Sequence, residues 1–187
     1  IARGEEDGVS SAYKCRVRSP WGRVPLVEVP RLFVNYMNHD RPRLIANGAR
    51  AHILNSVYGV RLTSERRTIG QELLPLASLN SVTLLGAEIV GRAYGGGLLK
   101  MEPREADRLP VPSFEQVRAA AKQLRTVKPQ LPQALRQGNL LAAVEAVDSI
   151  LLADVPEVDL RALRVAREML FERRKARGKS GEGRRPS

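Results

Sequence analysis

"GRAYGGGLLKMEPREADRLPVP" fills residues 91–112, and its reading divides the chain. Three consecutive glycines, Gly95, Gly96 and Gly97, stand between Tyr94 and Lys100, and the stretch closes on Leu109-Pro110-Val111-Pro112. Just upstream, "PLASLNSVTLLGAEIVG" (75–91) repeats Leu76, Leu79, Thr83 and Ala87 on one helical face. Pro75 suits a first helical turn there and Gly91 an exit. The order is therefore helix, glycines, a short strand "LLKM" (98–101) and a single turn around "PREADRL" (103–109). A Walker-type loop needs a Lys and a Ser or Thr directly after its last glycine. Here Leu98 and Leu99 intervene before Lys100, and no hydroxyl follows. A dinucleotide fingerprint needs a strand before its glycines and a helix after them, which is the reverse of this order.

Working outward, the residues before the glycines read as short strands. "YKCRVR" (13–18) and "RVPLVEV" (23–29) alternate with a period of two, the proline marking an edge or a bulge. "LFVNYM" (32–37), "RLIAN" (43–47) and "AHILNSVYGVRL" (51–62) are β-branched or aromatic and separated by polar turns. Beyond Pro112 the pattern is helical. Ser113 and Gln116 have capping-box spacing ahead of "FEQVRAAAKQL". A Pro- and Gly-punctuated connector (129–138) leads to "NLLAAVEAVDSILL" (139–152), and "DLRALRVAREMLFERR" places Leu160, Leu163, Arg167 and Leu170 near one stripe. The expected fold class is α+β. A mixed, β-rich unit spans 1–112, a small helical region 113–172, and a basic, disordered tail 173–187.

The net charge of +11 is unevenly spread. Residues 13–67 carry +8 and residues 173–187 carry +6, whereas 113–172 are neutral. Such concentration suits a polyanion, because each phosphate neutralised releases condensed counterions. A single cysteine, Cys15, excludes a disulfide framework, and two separated histidines make a metal site improbable. No apolar run approaches the roughly 20 residues of a membrane span. The polar start "IARGEEDGVS" lacks a signal-peptide apolar region, so a cytoplasmic location is expected. Ile rather than Met at position 1 fits a fragment or a processed product.

A helix exit and a turn account for one or two of the three glycines. The remainder fits a bare backbone offering N–H groups to a DNA phosphate, with Lys100 supplying charge. Here "AYKCRVRSPWGRVP" (12–25), "VNYMNHDRPRLIAN" (34–47) and "LNSVTLLGAEIVGRAYGGGLLKMEPREADRLPVP" (79–112) matter together. In combination they resemble the C-terminal half of adenine-N6 DNA methyltransferases of restriction–modification and phage-defence systems. The similarity covers roughly residues 12–112. Type I specificity subunits resemble it more distantly.

The resemblance implies a target recognition domain that binds double-stranded DNA for a methylase catalytic domain or subunit. Missing are the Gly-rich loop for S-adenosylmethionine and the Asn/Asp-Pro-Pro-Tyr/Phe motif; Ser19-Pro20-Trp21 is one proline short. No catalytic residue and no cofactor are therefore assigned to this chain, and S-adenosylmethionine is expected in the catalytic half. Arginine reads guanine through its two-pronged fork. Arg16, Arg18 and Arg23 would share one strand face, with Arg41, Arg43, Arg50 and Arg61 as further readers. Lys14 and Lys100 are expected on phosphates, and the bare turn of Gly95, Gly96 and Gly97 is expected to let Lys100 approach DNA. Asn55 and His52 could reach base edges or serve buried hydrogen bonds, and Trp21 is a core or DNA-facing aromatic. Two alternatives stay open: a stand-alone, non-catalytic specificity subunit, and a nonspecific basic RNA-binding protein.

Overall fold

A computed structural model describes residues 1–23 and 26–182. The chain opens on two short helices, α1 (Ala2–Glu6) and α2 (Tyr13–Arg16). The expected strand at 13–18 is thus a helical turn: the Cys15 and Arg16 amides both donate to the Ala12 carbonyl. Period-two alternation makes a strand only where another strand supplies the ladder, and none lies beside this segment among the described residues. Residues 24–25, inside the other expected early strand, lie outside the described residues, and 26–30 form no strand.

Four strands follow: β1 (Leu32–Asn35), β2 (Met37–Asn38), β3 (Leu44–Ala46) and β4 (Val57–Val60). The strand expected over 32–37 is broken at Tyr36 into β1 and β2, which join different sheets; that at 43–47 is present as β3, and only the second half of 51–62 forms a strand. β1 lies between β3 and β4 in an antiparallel sheet, with Leu32 opposite both Ala46 and Val60. Leu32 and Val34 point to the buried side, as the pleat requires.

Next come α3 (Arg67–Ala77) and α4 (Ser81–Val90), whose axes differ by 82°. The single helix expected over 75–91 is therefore two. Pro75 lies in the last turn of α3 rather than opening a helix. Asn80 starts α4 afresh by accepting from the Thr83 amide at 2.9 Å. β5 (Arg92–Tyr94) and β6 (Leu98–Lys100) flank the glycine run, and β6 sits between β2 and β5 in a second antiparallel sheet. A one-turn helix, α5 (Pro103–Asp107), precedes the Leu-Pro-Val-Pro segment.

The helical part consists of α6 (Phe114–Ala119), α7 (Ala121–Val127), α8 (Leu131–Arg136), α9 (Leu140–Leu151) and α10 (Glu157–Glu182). The Ser113–Gln116 capping box is formed, and the connector at 129–138 folds into α8. Leu73, Leu76 and Ala77 of α3 pack with Val117, Leu124, Leu131, Ala143 and Val147 in the main core. A smaller cluster of Ala87, Leu99, Met101 and Leu109 lies under the second sheet. α10 continues well into the residues expected to be a disordered tail, because its inward side chains find partners: Arg174 is 2% exposed. Residues 183–187 lie outside the described residues. Among the described residues no single helix is long and apolar enough to cross a membrane.

Candidate functional site

The glycine run makes a tight turn between β5 and β6, with Gly96 at φ 69° and Gly97 at φ 72°. Its bare backbone is approached by α10. A Cβ on Gly97 would lie 3.1 Å from the Lys175 Cα, and a Cβ on Gly178 would collide with the Gly96–Gly97 backbone. Arg174 donates to the Gly97 and His39 carbonyls and pairs with Glu88 of α4 at 2.7 Å. Gly95 and Gly96 remain exposed, whereas Gly97 is buried. Since the Gly97 carbonyl and Cα face are taken by α10, only Gly95 and Gly96 of the run stay open. No group of three His, Cys, Asp or Glu side chains among the described residues could hold a metal ion.

Three of the expected DNA-binding cations already have internal partners. Arg41 pairs with Asp40 and is largely buried, and Arg43 reaches the same carboxylate at 3.1 Å. Burial pushes the Asp40 carboxyl up, but Arg41 and Arg43 outweigh it and hold the group below its ordinary value. Burial is also the main reason the Arg41 guanidinium sits below its ordinary value. Arg167 of α10 donates to the Asp40 carbonyl at 2.9 Å and ties this turn to the helix. Lys100 bonds Glu102 at 2.6 Å and lies 5.0 Å from the Tyr94 ring centroid. The Glu102 carboxylate raises the Lys100 ammonium above its ordinary value.

The other cations are uncommitted. Among the described residues Lys14, Arg16, Arg18, Arg23, Arg50 and Arg61 make no ion pair. Arg16 and Arg18 do not share a pleated face, because Arg16 ends a helical turn and Arg18 lies in the bend beyond it. Trp21 packs on Gly4 and donates its indole N–H to Glu5 at 2.8 Å. Asn55 and His52 are exposed in the loop before β4.

Arg50 and Arg61 lie at the same end of the first sheet, on either side of β1. The Leu32–Val60 register sets Arg61, just past β4, beside Arg31, just before β1. On the other side of Arg31, Asn47 donates its amide to the Arg31 carbonyl and begins the turn that carries Arg50. Asn47 is buried and braces this turn by bonding the Pro30 and Ala51 carbonyls. Arg31 was missed in the sequence because nothing local marks it. Knowing that β1 pairs with β4 would have found it.

The family model for the C-terminal domain of Type II methyltransferase M.Eco57I matches residues 1–152. Type II methyltransferase M.XamI of Xanthomonas campestris pv. amaranthicola is 32% identical over 115 residues, which covers 60% of this chain and 20% of that protein. The matched part thus spans about a fifth of that relative's length. No solved structure matches the chain. The resemblance carried by the three quoted stretches and the match over most of the chain agree: this chain belongs to the family of C-terminal domains of Type II methyltransferases.

Proposed function

We propose that the chain is the DNA sequence-recognition portion of an adenine-N6 methyltransferase. It binds duplex DNA for a catalytic half that holds S-adenosylmethionine, the methyl donor. The observation that carries this reading is the exposed, unpaired set of Arg31, Arg50 and Arg61 at one sheet end, in a chain of this family. Exposed guanidinium groups without carboxylate partners keep all their donors for phosphate or for guanine edges. Arg16, Arg18, Arg23 and Lys14 add charge from the N-terminal segment, and Asn55 adds an exposed amide beside the same sheet. Arg41, Arg43 and Lys100 act as positioning residues, since each already holds a carboxylate of the same chain.

Paired variants test the division. Arg61→Ala should leave the thermal midpoint nearly unchanged and weaken duplex binding several-fold. Arg41→Ala should lower stability by about 1–3 kcal/mol because it uncovers a half-buried carboxylate. Binding that is insensitive to salt, or unaffected by Arg61→Ala, overturns the reading. Mapping N6-methyladenine in the source genome with and without the gene tests the adenine assignment; loss of no adenine mark removes it.

A further inference from the structure

A cleft of about 550 Å3 opens beside this sheet end, between the start of β1, the end of β3 and the first turns of α3. Its walls include Arg31, Ser64, Arg67, Thr68 and Gln71. Arg31 and Arg67 are exposed and make no ion pair among the described residues. The Ser64 and Thr68 hydroxyls are also exposed and donate to nothing among the described residues. Gln71 is held in place by donating to the Asn47 carbonyl at 3.3 Å, which fixes α3 against the turn carrying Arg50.

One carboxylate lines the cleft, and it is already neutralised. Glu72 receives both prongs of Arg125, at 2.9 and 2.7 Å. That hydrogen bonding holds the Glu72 carboxyl below its ordinary value, so it stays ionised and paired. The cleft therefore presents two guanidinium forks and two hydroxyl donors with no opposing free charge on its walls. This donor set matches the non-bridging oxygens of a phosphodiester, which accept two-pronged arginine bonds and hydroxyl bonds together.

We infer that this cleft seats the DNA backbone, with Arg31 and Arg67 gripping phosphates while Arg50 and Arg61 lie alongside. The inference rests on the DNA-binding reading above and adds a phosphate seat formed by residues outside the sequence-derived set. The cleft reads no sequence. It sets the register of the duplex against the exposed arginines that can.

The test measures affinity of the full chain for random-sequence duplex DNA across salt, in wild type, Arg31→Ala with Arg67→Ala, and the double Lys variant. In the double Ala variant the slope of log affinity against log salt should fall by about 2, at about 0.9 per phosphate contact. Affinity at about 0.1 M salt should drop roughly tenfold to a hundredfold for all sequences alike. The Lys variant should recover most of the slope, because it keeps the charge, and neither variant should shift the melting curve. Duplex binding with an unchanged slope in the Ala variant overturns the cleft and leaves the DNA-binding reading standing. If wild type binds no duplex, that reading falls, and titration with inorganic phosphate decides what the cleft is. Guanidinium NMR shifts confined to Arg31 and Arg67 would then make it a free-anion site, and no shifts would make it no anion site; both overturn the backbone assignment.

Discussion

Arg61 and Arg174 are the same side chain in opposite employment. At the end of the first sheet, Arg31, Arg50 and Arg61 stand exposed, with no carboxylate among the described residues to hold them. Along α10, Arg164, Arg167 and Arg174 point inward at one-turn and two-turn spacing, and each pins a different part of the fold. Arg164 reaches the buried Asp148 at 2.9 Å and the Ser81 hydroxyl at 3.2 Å. Arg167 holds the Asp40 turn, and Arg174 clamps Glu88 together with the glycine run. Arginines of one chain thus differ in whether the fold supplies them a partner. A count of lysines and arginines reads both kinds as polyanion-binding; only the presence or absence of a partner separates them.

Breaking the clamp should have the largest effect. Glu88→Ala leaves the Arg174 guanidinium buried without its carboxylate, and uncompensated buried charge costs about 3–5 kcal/mol. Denaturant unfolding reads this directly. A loss below about 1 kcal/mol would mean that α10 is not anchored by its arginines, and the comparison would collapse. A second variant acts from the backbone side. Gly97→Ala places a Cβ at positive φ and within 3.1 Å of the Lys175 Cα, so about 1–3 kcal/mol should be lost. Gly95→Ala, which meets nothing within 4 Å, should cost far less. Equal effects at the two positions would show that α10 does not rest on the turn.

The smallest expected effect concerns Asp40, which pairs with Arg41 and Arg43 and whose carbonyl accepts from Arg167 of α10. Its carboxyl titrates below the ordinary value of about 3.9 in the folded chain. A depressed carboxyl stabilises above its unfolded value, and that contribution disappears as pH falls through the lower, folded value. The melting temperature should therefore decline below about pH 4, and part of that decline should be absent in Asp40→Asn. The difference should stay within about 1 kcal/mol, because the pair is partly open to solvent. An identical acid profile in the variant would show that Asp40 binds its arginines too weakly to divide committed from free charge.

Much of the fold was legible locally. The Ser113–Gln116 box, the helix over 139–152 and the strands within 32–37 and 43–47 follow from spacing and residue type, which act over a few residues. The errors arose where a distant partner was missing or present. "YKCRVR" alternates like a strand but has no neighbouring strand, so its amides close a helical turn instead. Residues 173–182 look like a solvated tail until Arg174 meets Glu88, 86 residues away in sequence. In the candidate site, Arg50 and Arg61 were identifiable as cations in a basic segment. Arg31 and Arg67 lie in that same segment but nothing singled them out, because their place beside the cleft depends on the sheet register and on where α3 docks.

By itself, the sequence determined that residues 95–97 form a run of backbone without Cβ atoms and that positive charge gathers on either side of a neutral helical region. Those are properties of side chains and their near neighbours. Only the tertiary structure decided what comes close to the glycines, and it is α10 of the same chain. It also decided which arginines are spent inside the fold and which remain available. Electrostatic pairing depends on distance in space, and Gly97 and Arg174, 77 positions apart in sequence, carry no local trace of that contact.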